Sequence, residues 1–455
     1  MSDLSPLSLT SKPPTGNSSL QLLILSNGHG EDLIAVRILQ ELLQQPNPPS
    51  VSALPLVGEG RAYKQLDIPL IGSVQPMPSG GFVYMDGRQL VRDIRGGLVQ
   101  LTRNQIKSVR HWVNYQNKSG NPSAILAVGD IVPLLFAWLS GARYAFVGTA
   151  KSEYYVRDES SLLKRKTKGA YWENFSGSIY HPWERWLMTR RHCKAVFPRD
   201  SLTADILKTM RVPAFDLGNP MMDGLEPSFP THRFYSTDAE HQEIIRPLVV
   251  TLLPGSRPPE AYNNWEQIMT GVSALMGSFR ERDSILHTSG TVVFLGAIAQ
   301  SLDNKILSGS VKSQGWRIVP NEESPVKISD PEALTFKQKN AYLILTQNAY
   351  NDCLHLGDLA LAMAGTATEQ FVGLGKPAIA IPGGGPQFNP GFAEAQSRLL
   401  GQSIVLVEHA GQVGQEVRSL LKNADNLHVI SQNGWRRMGE PGAARRIAEC
   451  LMEKF

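Results

Sequence analysis

The stretch "LALAMAGTATEQFVGLGKPAIAIPGG", residues 359–384, decides the fold of this chain. An apolar run typical of a buried strand reaches a turn of small residues at Gly365, a helical pattern follows, and a second apolar run begins at Pro377. A strand, a helix and a strand in this order form a parallel pair, because the helix returns the chain to the starting end of the sheet. The stretch therefore predicts an α/β protein whose parallel sheet is covered by helices.

The same rhythm occurs in both halves of the chain, on either side of a segment rich in Pro, Gly and polar residues at 217–242. A chain of 455 residues exceeds the usual size of one hydrophobic core, so two domains are expected. Residues 321–340 interrupt the second half and are predicted to be a polar insertion or a hairpin. The apolar runs predicted as strands lie at 20–26, 51–58, 123–130, 143–149, 246–260, 291–299, 315–320, 341–347, 359–365, 377–384 and 402–408. The predicted units are a disordered tail (1–18), an N-terminal domain (19–217), a linker (218–242), a C-terminal domain (243–435) and a C-terminal helix (436–455).

The bulk composition indicates an ordinary soluble protein of the cytoplasm. It is 42% hydrophobic and 19% charged, and a net charge of +4 does not call for a nucleic-acid partner. Cys193, Cys353 and Cys450 stand far apart, which argues against a disulfide framework and a zinc site. The tail lacks the order of a signal peptide, and the longest apolar stretch, 131–148, is broken by Pro133, so no spanning helix is predicted.

Basic and aromatic residues concentrate in the first half. Residues 81–118 carry seven Lys and Arg against two acids, and residues 151–199 carry eleven against five. One interpretation is a solvated basic face above core aromatics. The other is a docking surface for anionic lipid, because aromatic side chains favour the boundary between water and an apolar phase. The aromatic residues in question are Trp112, Tyr154, Tyr155, Tyr171, Trp172, Trp183 and Trp186.

The run "VVTLLPGSRPPE", residues 249–260, is a candidate phosphate site. A buried strand ends in a turn at Gly255 and Ser256, Arg257 follows, and two prolines suit the start of a helix. Backbone N–H groups and a guanidinium at one point suit a diphosphate. A plain strand-to-helix turn is the equally weighted alternative.

A second anion site is predicted where the helix after residue 365 begins. The amides there and the helix dipole favour a negative group. Glu369 stands in the first helical turn, where a carboxylate can accept from two vicinal hydroxyls or simply complement the helix start. Gln387 and Asn389 follow the next strand and carry amides suited to sugar hydroxyls. The turn itself consists of Gly365, Thr366, Ala367 and Thr368. All these residues belong to the carboxyl ends of parallel strands, where ligands bind in open α/β sheets.

These motifs resemble those of the GT-B glycosyltransferases, and most closely the lipid-A-disaccharide synthase related group. The likeness rests on "LLPGSR" with its following Glu, "GTATEQFVGLGKPAIAIP", "VPAFDLGNPMMDGL" at 212–225 and "MGEPGAARRIAECL" at 438–451. It covers nearly the whole chain after the tail. A more distant likeness is to the peptidoglycan glucosaminyltransferase.

The resemblance implies two Rossmann-like domains that face each other across a cleft, with the C-terminal helix crossing back to the first domain. A nucleotide-sugar donor, expected to be a UDP-sugar, would be held by the second domain and a lipid or lipid-like acceptor by the first. Ser256 and Arg257 would then hold the donor diphosphate together with amides of the turn at Gly365. Glu369 would bind the ribose, and Gln387 and Asn389 would contact the donor sugar.

The first half departs from the family pattern. The lipid A synthases have a Gly-Glu-x-Ser-Gly-Asp turn after the first strand, whereas this chain has Gly28, His29, Gly30, Glu31 and Asp32. The loop is expected to lie on the acceptor side, and its altered chemistry predicts a different acceptor.

An inverting transfer needs a base near the acceptor hydroxyl and stabilisation of the departing diphosphate. Asp130, at a strand end where the family has an essential aspartate, and His29 are the candidate bases. A helix cap for Asp130 and a backbone or phosphate contact for His29 are the alternatives. No metal-ligand pattern occurs in the sequence, so metal-independent chemistry without a cofactor is expected.

Two other functions compete with glycosyl transfer. A nucleotide-sugar 2-epimerase shares this fold but needs no separate acceptor, so the basic first half argues against it. A non-catalytic protein that binds a lipid or another protein would be expected to lack the donor residues, which are present. The leading hypothesis is a peripheral membrane glycosyltransferase of the cytoplasm.

Overall fold

The computed structural model describes residues 19–73, 98–163, 176–228, 246–278 and 290–455. The predicted tail at 1–18 lies outside these residues, as do Tyr171, Trp172 and much of the basic sequence at 81–118 and 151–199.

The first domain contains a parallel sheet of five strands in the order β2-β1-β3-β4-β5. Leu25 of β1 pairs with Leu54 on one side and with Ala127 on the other, and all five strands are parallel, so their carboxyl ends meet at one edge. The strands are β1 (Gln21–Ser26), β2 (Ser50–Pro55), β3 (Ser123–Gly129), β4 (Arg143–Gly148) and β5 (Cys193–Phe197). The sequence analysis missed β5, a short run that follows several charged residues.

Helices cover both faces of this sheet, which explains why its strands are apolar on both sides. Their bounds are α1 (His29–Leu43), α2 (Arg61–Lys64), α3 (Leu98–Lys118), α4 (Ile131–Ser140), α5 (Pro182–Met188) and α6 (Ser201–Thr209). One face packs on α3 to α6 through residues such as Val109, Leu134 and Leu187. The opposite face packs on α1 and α2.

The second domain contains a sheet of eight strands in the order β13-β12-β11-β6-β7-β10-β9-β8. The first six in this order are parallel, β9 runs antiparallel to β10, and β8 runs antiparallel to β9. The strands are β6 (Leu248–Leu253), β7 (Val292–Ala297), β8 (Arg317–Val319), β9 (Leu334–Gln338), β10 (Ala341–Thr346), β11 (Leu359–Ala362), β12 (Ala378–Ala380) and β13 (Ile404–Leu406). Residues 321–340 therefore supply β9, the first strand of a hairpin with β10, which extends the edge of the sheet.

The helices of the second domain surround the sheet, and α7 contributes the fully buried Trp265 to the core. They are α7 (Glu260–Ser278), α8 (Asn304–Ser313), α9 (Tyr350–Leu356), α10 (Thr366–Gly373), α11 (Pro390–Leu400), α12 (Val413–Leu421) and α13 (Ala424–Met438).

The last helix, α14 (Ala443–Lys454), crosses back to the first domain. Its Ala444, Ile447 and Leu451 join the core formed by α1 and the first sheet. Asp223, which lies in the predicted linker, accepts hydrogen bonds from the N–H groups of Gly442 and Ala444 at 2.5 and 2.6 Å and so caps this helix. Residues 229–242 of the linker lie outside the described residues.

Candidate functional site

Two turns lie side by side at the carboxyl edge of the second sheet. Strand β6 runs into the turn at Gly255, and its neighbour β11 runs into the turn at Gly365. Asn264 of α7 joins them, because its Nδ2 donates to the carbonyls of Pro254 at 3.0 Å and Met363 at 3.3 Å. Gly255 has a φ of 92°, a left-handed conformation that favours glycine. The two candidate phosphate turns are thus held against each other.

The first of these turns presents its side chains to solvent. Ser256 and Arg257 are exposed, and the carbonyl of Ser256 accepts a hydrogen bond from the hydroxyl of Ser301. The predicted diphosphate ligands are therefore accessible at the sheet edge.

The second turn is fixed from beneath. Helix α10 starts at Thr366, after Gly365 as N-cap, so its first amides have no acceptor within the helix. Thr368 is buried, and its hydroxyl donates to the carbonyl of Ala364 at 2.6 Å, which leaves it a structural role. The amide of Gln396 donates to the carbonyls of Ala364 and Gly365, both at 3.1 Å. The sequence analysis missed Gln396, whose only signal is a polar residue on the apolar face of α11.

Glu369, the predicted ribose ligand, is paired with an arginine of the other domain. Its Oε2 accepts a hydrogen bond from Nη2 of Arg199 at 2.6 Å. Arg199 follows β5 at the carboxyl edge of the first sheet, so the contact joins the ligand-binding edges of the two domains. The sequence analysis did not select Arg199, although "VFPRD" at 196–200 places a charged residue directly after an apolar strand.

Gln387 and Asn389 lie in a loop that a carboxylate anchors. The N–H group of Phe388 donates to Oε1 of Glu260 at 2.6 Å, and that of Gln387 donates to the same carboxylate at 3.2 Å. The Gln387 side chain is exposed. Asn389 caps α11, because its Oδ1 accepts from the N–H group of Phe392 at 2.9 Å, so this oxygen serves the helix start.

The loop after β1 turns sharply into α1. Gly28 has a φ of 141°, and its carbonyl accepts a hydrogen bond from the N–H group of Asp32 at 2.7 Å. Gly30 is exposed in the first helical turn. His29 is the first residue of α1, and its side chain lies outside the described part of the chain.

Two carboxyl groups, those of Glu31 and Asp130, lie together beside this loop. Asp130 caps α4, where its Oδ1 accepts from the N–H group of Val132 at 2.8 Å. Glu31 packs against Gly129, since a Cβ atom at that glycine would stand 3.4 Å from Glu31 Cγ. The hydroxyl of Thr149, at the end of β4, makes a long 3.5 Å hydrogen bond to Glu31 Oε1. Both carboxyl groups therefore lie at the carboxyl edge of the first sheet.

Burial changes the acidity of this pair. Loss of hydration raises the pKa of Glu31 from 4.5 to about 7, and the negative charges of Asp130 and Asp32 add to the effect. Burial also raises the pKa of Asp130, against the opposing hydrogen bonds from Val132 and Asn27. The sequence analysis placed Glu31 only in the acceptor-side loop, whereas its surroundings suit a group that exchanges a proton near neutral pH.

The described residues of the predicted aromatic surface divide into buried and exposed ones. Trp112 and Tyr154 are buried, whereas Trp183 and Trp186 are 57% and 45% exposed. Trp186 packs edge-on against Trp138, 5.2 Å away, and the guanidinium of Arg190 lies 4.3 Å above its ring. We call the exposed residues Leu135, Trp183, Trp186 and the neighbouring Arg190 the aromatic face. It lies on α4, α5 and the turn after α5, and Asp130 is the N-cap of α4.

Among the described residues, no group of three or more His, Cys, Asp or Glu side chains could hold a metal ion. No helix there is long and apolar enough to cross a membrane.

Comparison with known proteins identifies the architecture. A scan against protein-family models finds no match, and neither does a search of curated proteins. Solved structures do match. A protein of Listeria monocytogenes assigned as a UDP-N-acetylglucosamine 2-epimerase is 13% identical, with a TM-score of 0.54 over 96% of each chain. MurG of Acinetobacter baumannii is 14% identical, with a TM-score of 0.51 over 96% of this chain and 99% of that one.

This chain has the GT-B fold. The predicted fold class, with two Rossmann-like domains and a returning C-terminal helix, is confirmed. The adjacent turns at Gly255 and Gly365 belong to the second domain of this fold, and the Glu31 and Asp130 pair belongs to the first. Arg199 and Glu369 join the two across the cleft.

Proposed function

We propose that this protein is a glycosyltransferase that moves a sugar from a nucleotide-sugar donor, a UDP-sugar, to a lipid or lipid-like acceptor. One observation carries the proposal: the cleft brings the two candidate anion-binding turns of one domain opposite the buried Asp130 and the partly buried Glu31 of the other. The buried contact between Arg199 and Glu369 fixes this juxtaposition. The sequence resemblance to the lipid-A-disaccharide synthase related group supports the same reaction.

The donor would lie along the edge of the second sheet. Arg257 and the free amides at Gly365 would bind the diphosphate, and their positive character would stabilise the charge that develops on it as the bond to the sugar breaks. Glu369 would accept hydrogen bonds from the ribose hydroxyls. Gln387, which is exposed on the anchored loop, would contact the sugar.

The acceptor hydroxyl would lose its proton to the carboxyl pair. Of the three candidates, the geometry favours Glu31 as the base, because Oδ1 of Asp130 already accepts the N–H group of Val132 in α4. The deprotonated oxygen would attack the anomeric carbon of the donor sugar from the face opposite the diphosphate. The diphosphate would depart with the electrons of the broken bond, and the configuration at the anomeric carbon would be inverted. A base with a pKa of about 7 is half ionised at neutral pH and can both accept and release the proton. Asp130 and His29 remain proposals for the same role.

The aromatic face supports a membrane-bound acceptor. Exposed tryptophans beside a guanidinium favour the boundary between lipid head groups and acyl chains. Because α4 carries Leu135 of this face and has Asp130 as its N-cap, a membrane docked there would present lipid head groups near the carboxyl pair. We therefore propose peripheral binding to an anionic membrane surface.

A nucleotide-sugar 2-epimerase is the second candidate. Solved structures with this fold include the Listeria monocytogenes protein and a UDP-N-acetylglucosamine 2-epimerase of Neisseria meningitidis bound to UDP-N-acetylglucosamine, 13% identical with a TM-score of 0.50 over 96% of this chain and all of that one. A pair of carboxyl groups could also exchange a proton at a sugar carbon.

Lipid analysis tests the proposal directly. Total lipids from cells with and without the protein are compared by mass spectrometry, and a glycolipid that is lost without the protein and restored by its expression supports transfer. In parallel, the purified protein is incubated with UDP-N-acetylglucosamine alone. Epimerised product without any change in cellular glycolipids would replace the transferase proposal by the epimerase.

A further inference from the structure

Arg199 occupies the carboxylate that the proposed function assigns to the donor ribose. The two side chains are only 5% and 9% exposed, so the ion pair is buried between the domains. Glu369 stands one turn after the anion-binding turn at Gly365, in the position that a nucleoside would have to reach. In this conformation, Nη2 of Arg199 takes the hydrogen bond that a ribose hydroxyl would donate.

The rest of the arginine is held less completely. Its Nη1 donates to the carbonyl of Thr149 at 3.3 Å. Within the described part of the chain, its buried Nε has no hydrogen-bond acceptor. Tyr155 lies against the pair, and Arg398 of the second domain donates to the Tyr155 carbonyl. A buried guanidinium with one unsatisfied N–H group gains less from its site than a fully bonded one, so its main anchor is Glu369.

We propose that Arg199 is an internal competitor of the nucleoside: the Arg199–Glu369 contact closes the cleft in the free protein, and the ribose must displace the guanidinium from Glu369 in order to bind. This inference rests on the proposed function, because it takes Glu369 as the ribose ligand. Nucleotide binding and opening of the interdomain contact are then one coupled equilibrium.

The coupling lowers the apparent affinity for a nucleoside. If Glu369 is unpaired in only a few per cent of molecules, the apparent dissociation constant is higher than the intrinsic one by a factor of roughly 10 to 100. Arg199→Met keeps most of the side-chain length and removes the charge. We therefore expect this variant to bind uridine at least about tenfold more tightly than the wild type.

Uridine is the probe because it carries the ribose without phosphates, so its affinity reports on Glu369 without a contribution from Arg257. Isothermal titration calorimetry compares uridine and UDP binding to the wild type, Arg199→Met and Arg199→Lys. Arg199→Lys keeps the positive charge and should gain less uridine affinity than Arg199→Met. It also serves as the second variant if Arg199→Met destabilises the protein. Arg157→Met is the matched control, because it breaks another buried ion pair of the first domain, the 2.8 Å contact with Glu153. It should leave both affinities unchanged.

The double variant Arg199→Met with Glu369→Gln separates competition from a general loosening of the cleft. It should lose the gain, since no carboxylate is left to be released. Suppose that the wild type binds UDP but that Arg199→Met and Arg199→Lys bind uridine no more tightly than the wild type does. This result would overturn the competitor role of Arg199 and leave the proposed function standing. A gain that survives Glu369→Gln would overturn it as well. If neither the wild type nor any variant binds uridine or UDP, both the inference and the nucleotide site are wrong.

Discussion

Glu31→Gln should change how the stability of the protein depends on pH. The substitution replaces a carboxyl group by an amide of nearly the same shape, so the packing against Gly129 is kept. What it removes is the ability to become negatively charged beside Asp130. The difference between variant and wild type therefore isolates the free energy of ionising this one buried group.

The size of the effect follows from the pKa. In the unfolded chain Glu31 should titrate near its ordinary value of 4.5, whereas in the folded protein its pKa is about 7. Between these values the folded protein retains a proton that the unfolded chain releases, so this contribution to stability is fully present below pH 4.5 and is lost as the pH rises through 7. One pKa unit corresponds to about 1.4 kcal/mol, and the total loss is about 3 kcal/mol.

Thermal unfolding between pH 5 and pH 8.5 measures this loss. The wild type should lose stability across the range relative to Glu31→Gln, and the gap in Tm should grow by on the order of 6 °C for a domain of about 200 residues. Leu33→Ala is a suitable control, because it alters an exposed side chain of α1 and no ionisable group. A Tm gap between Glu31→Gln and the wild type that stays constant with pH would show that Glu31 is ordinarily acidic, and its assignment as the base would lose its physical basis.

Three further experiments test other parts of the structure. Saturating UDP, at about 100 times its Kd, should stabilise the wild type by about 2.7 kcal/mol. In calorimetry, Arg257→Ala should weaken UDP binding by about 10-fold to 100-fold through loss of a charge-assisted contact, whereas the control Arg246→Ala should not, because Arg246 precedes the opposite end of β6 and pairs with Asp358. Equal UDP affinities in the two variants would show that the phosphate site lies elsewhere. The double variant Trp183→Ala with Trp186→Ala should sediment severalfold less with vesicles of phosphatidylcholine and phosphatidylglycerol than the wild-type protein does. The control Trp435→Ala removes a 51% exposed tryptophan from the second domain and should sediment like the wild type. Unchanged sedimentation of the double variant would exclude the aromatic face as the membrane contact. Asp223→Ala should lower the free energy of unfolding by about 1–2 kcal/mol, because it removes the cap of α14. Asp223→Asn keeps an oxygen acceptor and should lose less stability in the same denaturation experiment. An equal loss of stability in both variants would show that the cap hydrogen bonds do not stabilise the protein.

The local sequence predicted the scaffold well. Apolar runs such as the one at 359–365 identify their strands, because burial on both faces of a parallel sheet demands a continuous apolar pattern. The two turns at Gly255 and Gly365 were predicted to lie at the same edge of a parallel sheet, and the pairing of β6 with β11 in the structure makes them neighbours. By contrast, β9 was hidden by its polar surroundings, because an antiparallel strand can have one face in water and then needs fewer apolar residues.

The sequence by itself determined the two α/β domains, the turns at Gly255 and Gly365 and the position of Asp130 at a strand end, because each of these depends on residues close together in the chain. Only the tertiary structure decided which distant groups meet. Arg199 and Glu369 are 170 positions apart, and their pairing depends on how the two sheets face each other. Likewise, Glu31 differs from an ordinary surface glutamate only because folding buries it beside Asp130 and removes the water that would stabilise its charge. Hydration and charge in this cleft are properties of the closed three-dimensional arrangement, which no short stretch of sequence contains.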